Sequence, residues 1–214
     1  SESLVVELAS NDGYLLQHFV AKSIPCLGVD PAANVAEAAI DKGVPTTVKF
    51  FGRRTAAEIL SHFGAADLII GNNVLAHVPE LNDFVSGIKF ILAPGGVVTM
   101  EFPHLFRLFE ENQFDTIYHE HFSYFSFTVA REVFRRHGMT LFDVKELKSH
   151  GGSIRIFGCH ADDPTKPVTS AVDELVDREK RMGYLDTRIY DAFAANVRAT
   201  KRAILSFLIE KKEA

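Results

Sequence analysis

The sequence predicts an α/β fold, with a seven-stranded and mostly parallel sheet that ends in an antiparallel hairpin and is followed by C-terminal helices. Three observations predict it. From Leu4 to about Cys159, short apolar runs alternate with amphipathic stretches, the pattern of βα units that assemble a parallel sheet. The last two apolar runs are separated only by Lys148 to Gly152, a loop too short for a parallel crossover, so they pair antiparallel. The chain has 214 residues, 47% of them hydrophobic and 24% charged, enough to bury one full core.

Taken in order, the strands are Leu4 to Ala9, Cys26 to Asp30, Thr46 to Lys49, Asp67 to Gly71, Gly96 to Phe102, Met139 to Leu147 and Ser153 to His160. Each after the first is a short run flanked on at least one side by Gly, Pro or Asn, residues that punctuate strands. Helices fill the intervals at Tyr14 to Ala21, Val35 to Lys42, Arg54 to Phe63, Phe84 to Leu92 and Thr128 to His137, where apolar positions recur at helical spacing. Between the fifth strand and the last of these helices lies an insertion, Pro103 to Phe127, dense in Phe, His, Tyr and Glu. It follows the carboxyl end of a strand, where open α/β sheets place their sites. After Pro164 and Pro167 charges alternate along two helical stretches, so residues 1–160 are read as the sheet domain and 161–214 as a helical extension. In the final helix Ile189, Phe193, Val197, Ile204 and Leu208 form an apolar stripe that is expected to pack on the sheet domain or on a second copy.

Composition removes several function classes. A net charge of −5 and a pI near 6.0 give no basic field for a phosphate backbone, so small molecules rather than nucleic acids are the expected ligands. Cys26 and Cys159 both lie in apolar strands, which writes neither a disulfide framework nor a zinc site and fits a reducing cytoplasm. No apolar run reaches the roughly 18 residues of a membrane span, and the N-terminus has no signal-peptide pattern. The sequence begins three residues before a core strand and ends in a helix without a capping glycine or proline, so a longer parent is expected on both sides.

The first strand runs into Val5-Val6-Glu7-Leu8-Ala9-Ser10-Asn11-Asp12-Gly13. A ligand-binding turn there must reverse sharply so that backbone N–H groups face the ligand, and Gly13 and Asn11 are residues that tolerate the left-handed angles this needs. The second strand ends at Asp30, 17 positions after Gly13, where a carboxylate can accept from both ribose hydroxyls or cap the next helix. Phe50 and Phe51, after the third strand, either sandwich an adenine or belong to the core. The fourth strand leads into Asn72-Asn73-Val74-Leu75-Ala76-His77-Val78-Pro79, and Pro94-Gly95-Gly96 opens the fifth. Asn72 and Asn73 suit a methionine carboxylate, an adenine edge or a plain turn, and His77 reads as a loop-packing histidine. Five βα units followed by a terminal hairpin, with this fourth strand and Pro-Gly-Gly turn, resemble the class I S-adenosylmethionine (SAM)-dependent methyltransferases, with Ala9 standing where their pattern has its first glycine. That resemblance implies SAM as cofactor, with Glu7, Ala9, Asn11, Asp12, Gly13, Asp30, Phe51, Asn72 and Asn73 as its binding residues. A nicotinamide dehydrogenase is disfavoured, since only Gly13 remains of a G-x-G-x-x-G turn.

The insertion carries Tyr118-His119-Glu120-His121-Phe122-Ser123-Tyr124-Phe125: two imidazoles, a carboxylate and two phenols able to titrate in a water-poor pocket. Read as a strand, it puts His119 and His121 on one face with Glu120 opposite, which leaves metal ligation as a competing reading, without an obvious third ligand, and an aromatic plug as another. With Glu7 to Gly13, Tyr118 to His121, Phe122 to Ser126 and His150-Gly151-Gly152-Ser153-Ile154-Arg155, nearly the whole chain resembles the sugar C-methyltransferases that act on nucleotide-linked keto-deoxysugars. The resemblance implies His121 as the base, with Tyr118, His119 and Glu120 beside it and His150, Ser153 and Arg155 toward the substrate, and no metal in the reaction. It also implies a methyltransferase lobe without the family's N-terminal zinc-binding lobe and its C-terminal lobe. An O- or N-methyltransferase on another small metabolite, or a non-catalytic module of the same fold, remain the alternatives.

Overall fold

The computed structural model describes residues 3–213. Residues 1, 2 and 214, the outermost positions of the two expected segments, lie outside that description. Strand β1 (Val5–Leu8) is buried throughout, because helices cover both faces of the sheet at this point. Leu4, Val6 and Leu8 face the larger core, and Val5 faces a smaller one with Leu16, Ala39, Val44 and Ile70. Strands β2 (Cys26–Val29), β3 (Thr46–Thr47), β4 (Ala66–Asn72) and β5 (Leu92–Pro103) run parallel to it. The hairpin of β6 (Met139–Leu147) and β7 (Ser153–His160) is antiparallel, and β7 slots between β5 and β6 to give the order β3-β2-β1-β4-β5-β7-β6. The order reverses between β1 and β4, so the carboxyl ends of these strands splay apart into a crevice.

Helices α2 (Ala33–Asp41), α3 (Arg53–Phe63), α4 (Leu81–Ile91) and α6 (Phe127–Arg136) match the expected stretches within a few residues. The predicted helix at Tyr14 is shorter: α1 (Gln17–Val20) is entered through turns, with three-residue bonds such as Gly13 N to Ser10 O and His18 N to Leu15 O. The third strand also contracts to two residues, because Val48, Lys49 and Phe50 leave the sheet edge and turn outward. Within the insertion, α5 (Leu105–Glu110) is the only α-helix among the described residues.

The segment beginning at residue 161 contains α7 (Ser170–Met182) and α8 (Arg188–Glu213). Val172, Leu175 and Val176 of α7 belong to the same core cluster as the sheet, so packing is continuous across residue 160. The tail stripe behaves in two halves. Phe193 and Tyr190 pack on Phe109 of α5 at ring-centroid distances of 4.4 and 5.1 Å, and Asn112 donates to the Thr200 hydroxyl at 2.9 Å. Ile204, Leu205, Phe207, Leu208 and Ile209 are about half exposed, so the expected cover over this part is not present among the described residues. None of the helices is long and apolar enough to cross a membrane among the described residues.

Candidate active site

The turn after β1 is built from left-handed residues. Ala9, Asn11 and Gly13 have φ of 57°, 53° and 74°. For Ala9 the conformation carries the strain of a Cβ crowding the carbonyl, the kind of local strain found where a backbone is shaped for a ligand. At Gly13 a Cβ would also come within 3.0 Å of Val44 and 3.1 Å of Ala39, so both the angle and the space demand glycine. Asp30 holds the turn from the next strand: its buried carboxylate accepts from Asn11 N and Ala32 N, each at 2.9 Å. It therefore anchors both the turn and the start of α2, and its two oxygens retain free lone pairs. Asp12 points its carboxylate to Lys42 at 2.5 Å, which holds its pKa below the usual range, and its N–H donates to Asn11 Oδ1 at 2.8 Å, so Asp12 braces the turn.

Glu7 lies beneath the turn. It is 1% exposed, its Oε2 has no hydrogen-bond partner, and burial pushes its pKa up to about 8. A carboxyl kept neutral this way is poised to ionise against a cation that enters beside it. At the end of β4, Asn73 has φ of 54°, donates its N–H to Glu101 O at 2.7 Å and keeps a buried, unpartnered Oδ1. Asn72 is half-buried and pairs in register with Glu101 on β5.

A cavity of about 660 Å³ opens over the ends of β1, β2 and β4. Leu8, Ala9 and Val29 form its floor, Phe50, Phe51 and Thr55 one wall, and Val74, His77 and Phe84 another. Phe51 packs edge-on against Phe84 at 5.4 Å, so it is both core and wall, while Phe50 is 82% exposed at the rim. The size and the mostly apolar lining suit a small molecule with an aromatic end.

The insertion is pinned above this cavity. Phe122 N and Ser123 N both donate to Ala76 O, at 2.8 and 3.3 Å, and His77 Nδ1 donates to Glu120 O at 3.1 Å. His121 packs edge-on against His77 at 4.7 Å. Its Nδ1–H donates to Thr116 O at 3.1 Å, which leaves Nε2 as the basic nitrogen, accepting from the Tyr118 hydroxyl at 3.2 Å. Burial, and then the neighbouring His77, lower the His121 pKa, while Thr116 O and Glu120 oppose them. The strand reading of this segment is corrected: residues 119 and 120 form a turn closed by His121 N to Tyr118 O at 3.1 Å, so alternation does not apply. His119 and Glu120 are exposed, and among the described residues no three His, Cys, Asp or Glu side chains are arranged to hold a metal ion.

The His150 to Arg155 loop sits one strand further along. His150 is exposed with φ of 50°, and Gly151 and Gly152 continue in positive φ, where Cβ atoms would strike Gln113 and Arg107 of the insertion. Ser153 is buried and donates to Ser149 O at 3.1 Å, bracing the loop. Arg155 reaches Glu101 at 2.5 Å, and Ser149 donates to the other Glu101 oxygen at 2.7 Å. Glu101 thus links this loop to the Asn72 and Asn73 end of β4. The sequence reading took His77 for a loop-packing histidine and passed over Glu101. His77 joins the cavity to His121, and its place just past a strand end was the available signal. Glu101 is a buried acid in an otherwise apolar strand, which was legible as an anomaly but had no visible partner.

Comparison with known proteins agrees with this geometry. Residues 1–144 match the family described as "Methyltransferase domain", and residues 148–214 match "C-methyltransferase C-terminal domain". The C-methyltransferase NovU of Streptomyces niveus is 39% identical over 193 residues, covering 89% of this chain and 45% of that protein, so the chain spans about half the length of the curated relative it matches. Among solved structures, a SAM-dependent methyltransferase from Anabaena variabilis superposes with a TM-score of 0.58 at 13% identity, over 74% of this chain and 77% of that one. Magnesium protoporphyrin IX methyltransferase of Synechocystis with bound SAH gives 0.54 at 14% identity, over 73% of each chain. Such identities speak to the fold alone, which is that of the class I SAM-dependent methyltransferases. With fold and domain match in accord over most of its length, the chain belongs to the SAM-dependent methyltransferases, in the family described as "Methyltransferase domain".

Proposed function

We propose that this chain is the methyltransferase part of a cytoplasmic enzyme that methylates the carbon next to the ketone of a nucleotide-linked keto-deoxysugar, with His121 as base. The observation that carries the reading is the contact between His121 and His77. It brings a histidine whose basic Nε2 is met only by the Tyr118 hydroxyl to the wall of the cavity over the strand ends.

The residues present fit SAM. The strained turn brings the chain at Ala9 to the cavity floor, Asp30 has lone pairs for ribose hydroxyls, Phe50 and Phe51 line the cavity for adenine, and the orphaned Glu7 Oε2 and Asn73 Oδ1 suit a methionine ammonium. Bound there, SAM supplies an electrophilic methyl group on a sulfonium. His121 Nε2 takes the proton alpha to the ketone, and the Thr116 carbonyl stabilises the resulting imidazolium through Nδ1. The Tyr118 hydroxyl, which donates to Nε2 in the resting protein, turns to the developing enolate oxygen once substrate occupies the site. Glu120 and His119, both exposed, meet sugar hydroxyls, and His150 and Arg155 face the nucleotide side with Ser153 holding their loop. The relative's name favours carbon over oxygen or nitrogen as acceptor.

Solvent-deuterium exchange at the alpha carbon of a nucleotide-linked keto-deoxysugar is the test, measured with and without methyl donor. The expected result is exchange in the wild type and none in His121→Asn, with SAM bound by both. Exchange at the wild-type rate in the variant would move the base to another residue.

A further inference from the structure

We propose that Glu179 is a positioning residue for the segment that carries His121: through one buried carboxylate it fixes both ends of the insertion and so sets where the base sits. Only the base assignment rests on the function proposed above.

The insertion leaves the sheet at His104, just after β5, and ends at Phe127, where α6 begins. Glu179, on α7, is 1% exposed and accepts from both ends. Oε1 takes His104 Nε2 and Phe127 N, both at 2.7 Å; Oε2 takes Thr128 N at 2.8 Å and Thr128 Oγ1 at 2.5 Å. Two of these donors are the first free N–H groups of α6, so the carboxylate also meets the positive end of that helix. The ends touch each other as well, through Leu105 N to Phe125 O at 3.0 Å. A few residues on, Tyr184 donates its hydroxyl to Phe106 O at 3.1 Å. Both stems are thus held by the C-terminal segment, 51 to 78 residues away in the chain.

The segment between the stems has little regular structure of its own beyond α5 and a 3-10 turn at Phe114–Thr116. His121 lies four residues before the bridged Phe125, and its Nδ1 partner, Thr116, lies in the same segment. A shift of about 1 Å in a positioned group can reduce turnover by about 10²-fold. Both oxygens of Glu179 accept two donors each, so a glutamine there must turn its amide N–H₂ against two donors in either orientation.

The test compares Glu179→Gln and the milder Thr128→Val with wild type in the intact protein, using long-range ¹H–¹⁵N spectra of the His121 ring, kcat and SAM affinity. In Glu179→Gln the ring is expected to lose its single Nδ1–H tautomer and titrate closer to an ordinary histidine, kcat to fall about 10- to 100-fold, and SAM affinity to stay within about twofold. Thr128→Val, which removes one donor, should show the same changes more weakly, and it decides the matter if the glutamine variant does not fold. Melting temperatures that drop while the ring signals and kcat stay as in wild type would overturn the proposal. If no variant, wild type included, exchanges or methylates a keto-sugar, the substrate reading falls, and the ring spectra alone still decide the role of Glu179.

Discussion

The two walls of the site are built in different ways. The cradle after β1 is local: its shape comes from φ angles at Ala9, Asn11 and Gly13, and its main brace is Asp30, within 19 residues. The insertion that brings His121 is non-local, docked on Ala76 and His77 at its tip and on Glu179 at its stems. Loops carry function when a rigid scaffold places them, and here one wall is its own scaffold while the other borrows one. Damage to the cradle should therefore change cofactor affinity, whereas damage to the insertion should change turnover.

The largest expected effect lies on the insertion. His121→Asn should lower turnover by about 10² to 10⁴ and leave SAM affinity unchanged, measured by single-turnover kinetics and calorimetry. The acid limb of the wild-type rate profile should fall below pH 6.5, because burial and His77 lower the pKa of His121 and keep it neutral as a base at pH 7. An acid limb above that value would place a differently perturbed group in the role. On the cradle, Asp30→Ala should weaken SAM by about 1 to 3 kcal/mol, about 5- to 150-fold, through lost charge-assisted hydrogen bonds. A variant that loses turnover but not affinity at Asp30 would erase the contrast between the walls.

That contrast also explains what the sequence could convey. Parallel strands, the terminal hairpin and the Ala9 to Gly13 turn follow from periodicity and from residues that punish wrong angles, signals contained in short windows. His121 stood out by chemistry and by family pattern, but its neighbours did not: the strand reading of Tyr118 to His121 failed because the turn there is set by the dock on Ala76, about 45 residues away. Glu179 was invisible for the same reason. On an alternating-charge helix nothing separates an acid that faces solvent from one that meets four donors across the fold. The tail stripe shows the converse, since helical spacing revealed the apolar face of α8 but not that its second half stays exposed.

A further prediction concerns protons. Glu7 is held up to about 8 by burial, against an ordinary value of 4.5. The native protein keeps this proton across a window in which the unfolded chain has lost it, so the stability tied to it is fully present below about pH 4.5 and is lost as pH rises to about 8. If SAM's ammonium ionises Glu7, binding near pH 6.5 releases about one proton, and affinity climbs toward pH 8 by at most about tenfold per unit. Calorimetry in buffers of different ionisation enthalpy reads the proton directly. Glu7→Gln should flatten the dependence; a wild type that binds without proton release would remove Glu7 from the cradle.

The smallest effect is the sharpest test of the cradle as a self-made scaffold. Ala9 holds φ of 57° with its methyl at the cavity floor, a conformation that costs a residue with a Cβ about 1 to 2 kcal/mol and glycine almost nothing. The bond from Ala9 N to Val29 O at 2.8 Å keeps it there, so the angle is imposed by the sheet and not by the residue. Ala9→Gly should relieve that strain but lose part of the gain to the greater freedom of an unfolded glycine, for a net stabilisation of about 0.5 to 1 kcal/mol by chemical denaturation. SAM affinity should change by less than about threefold, since glycine preserves the turn and removes only a methyl from the floor. Destabilisation by a comparable amount would mean that the methyl's packing outweighs the strain of the angle, and that the turn is shaped by what lies over it as much as by its own backbone.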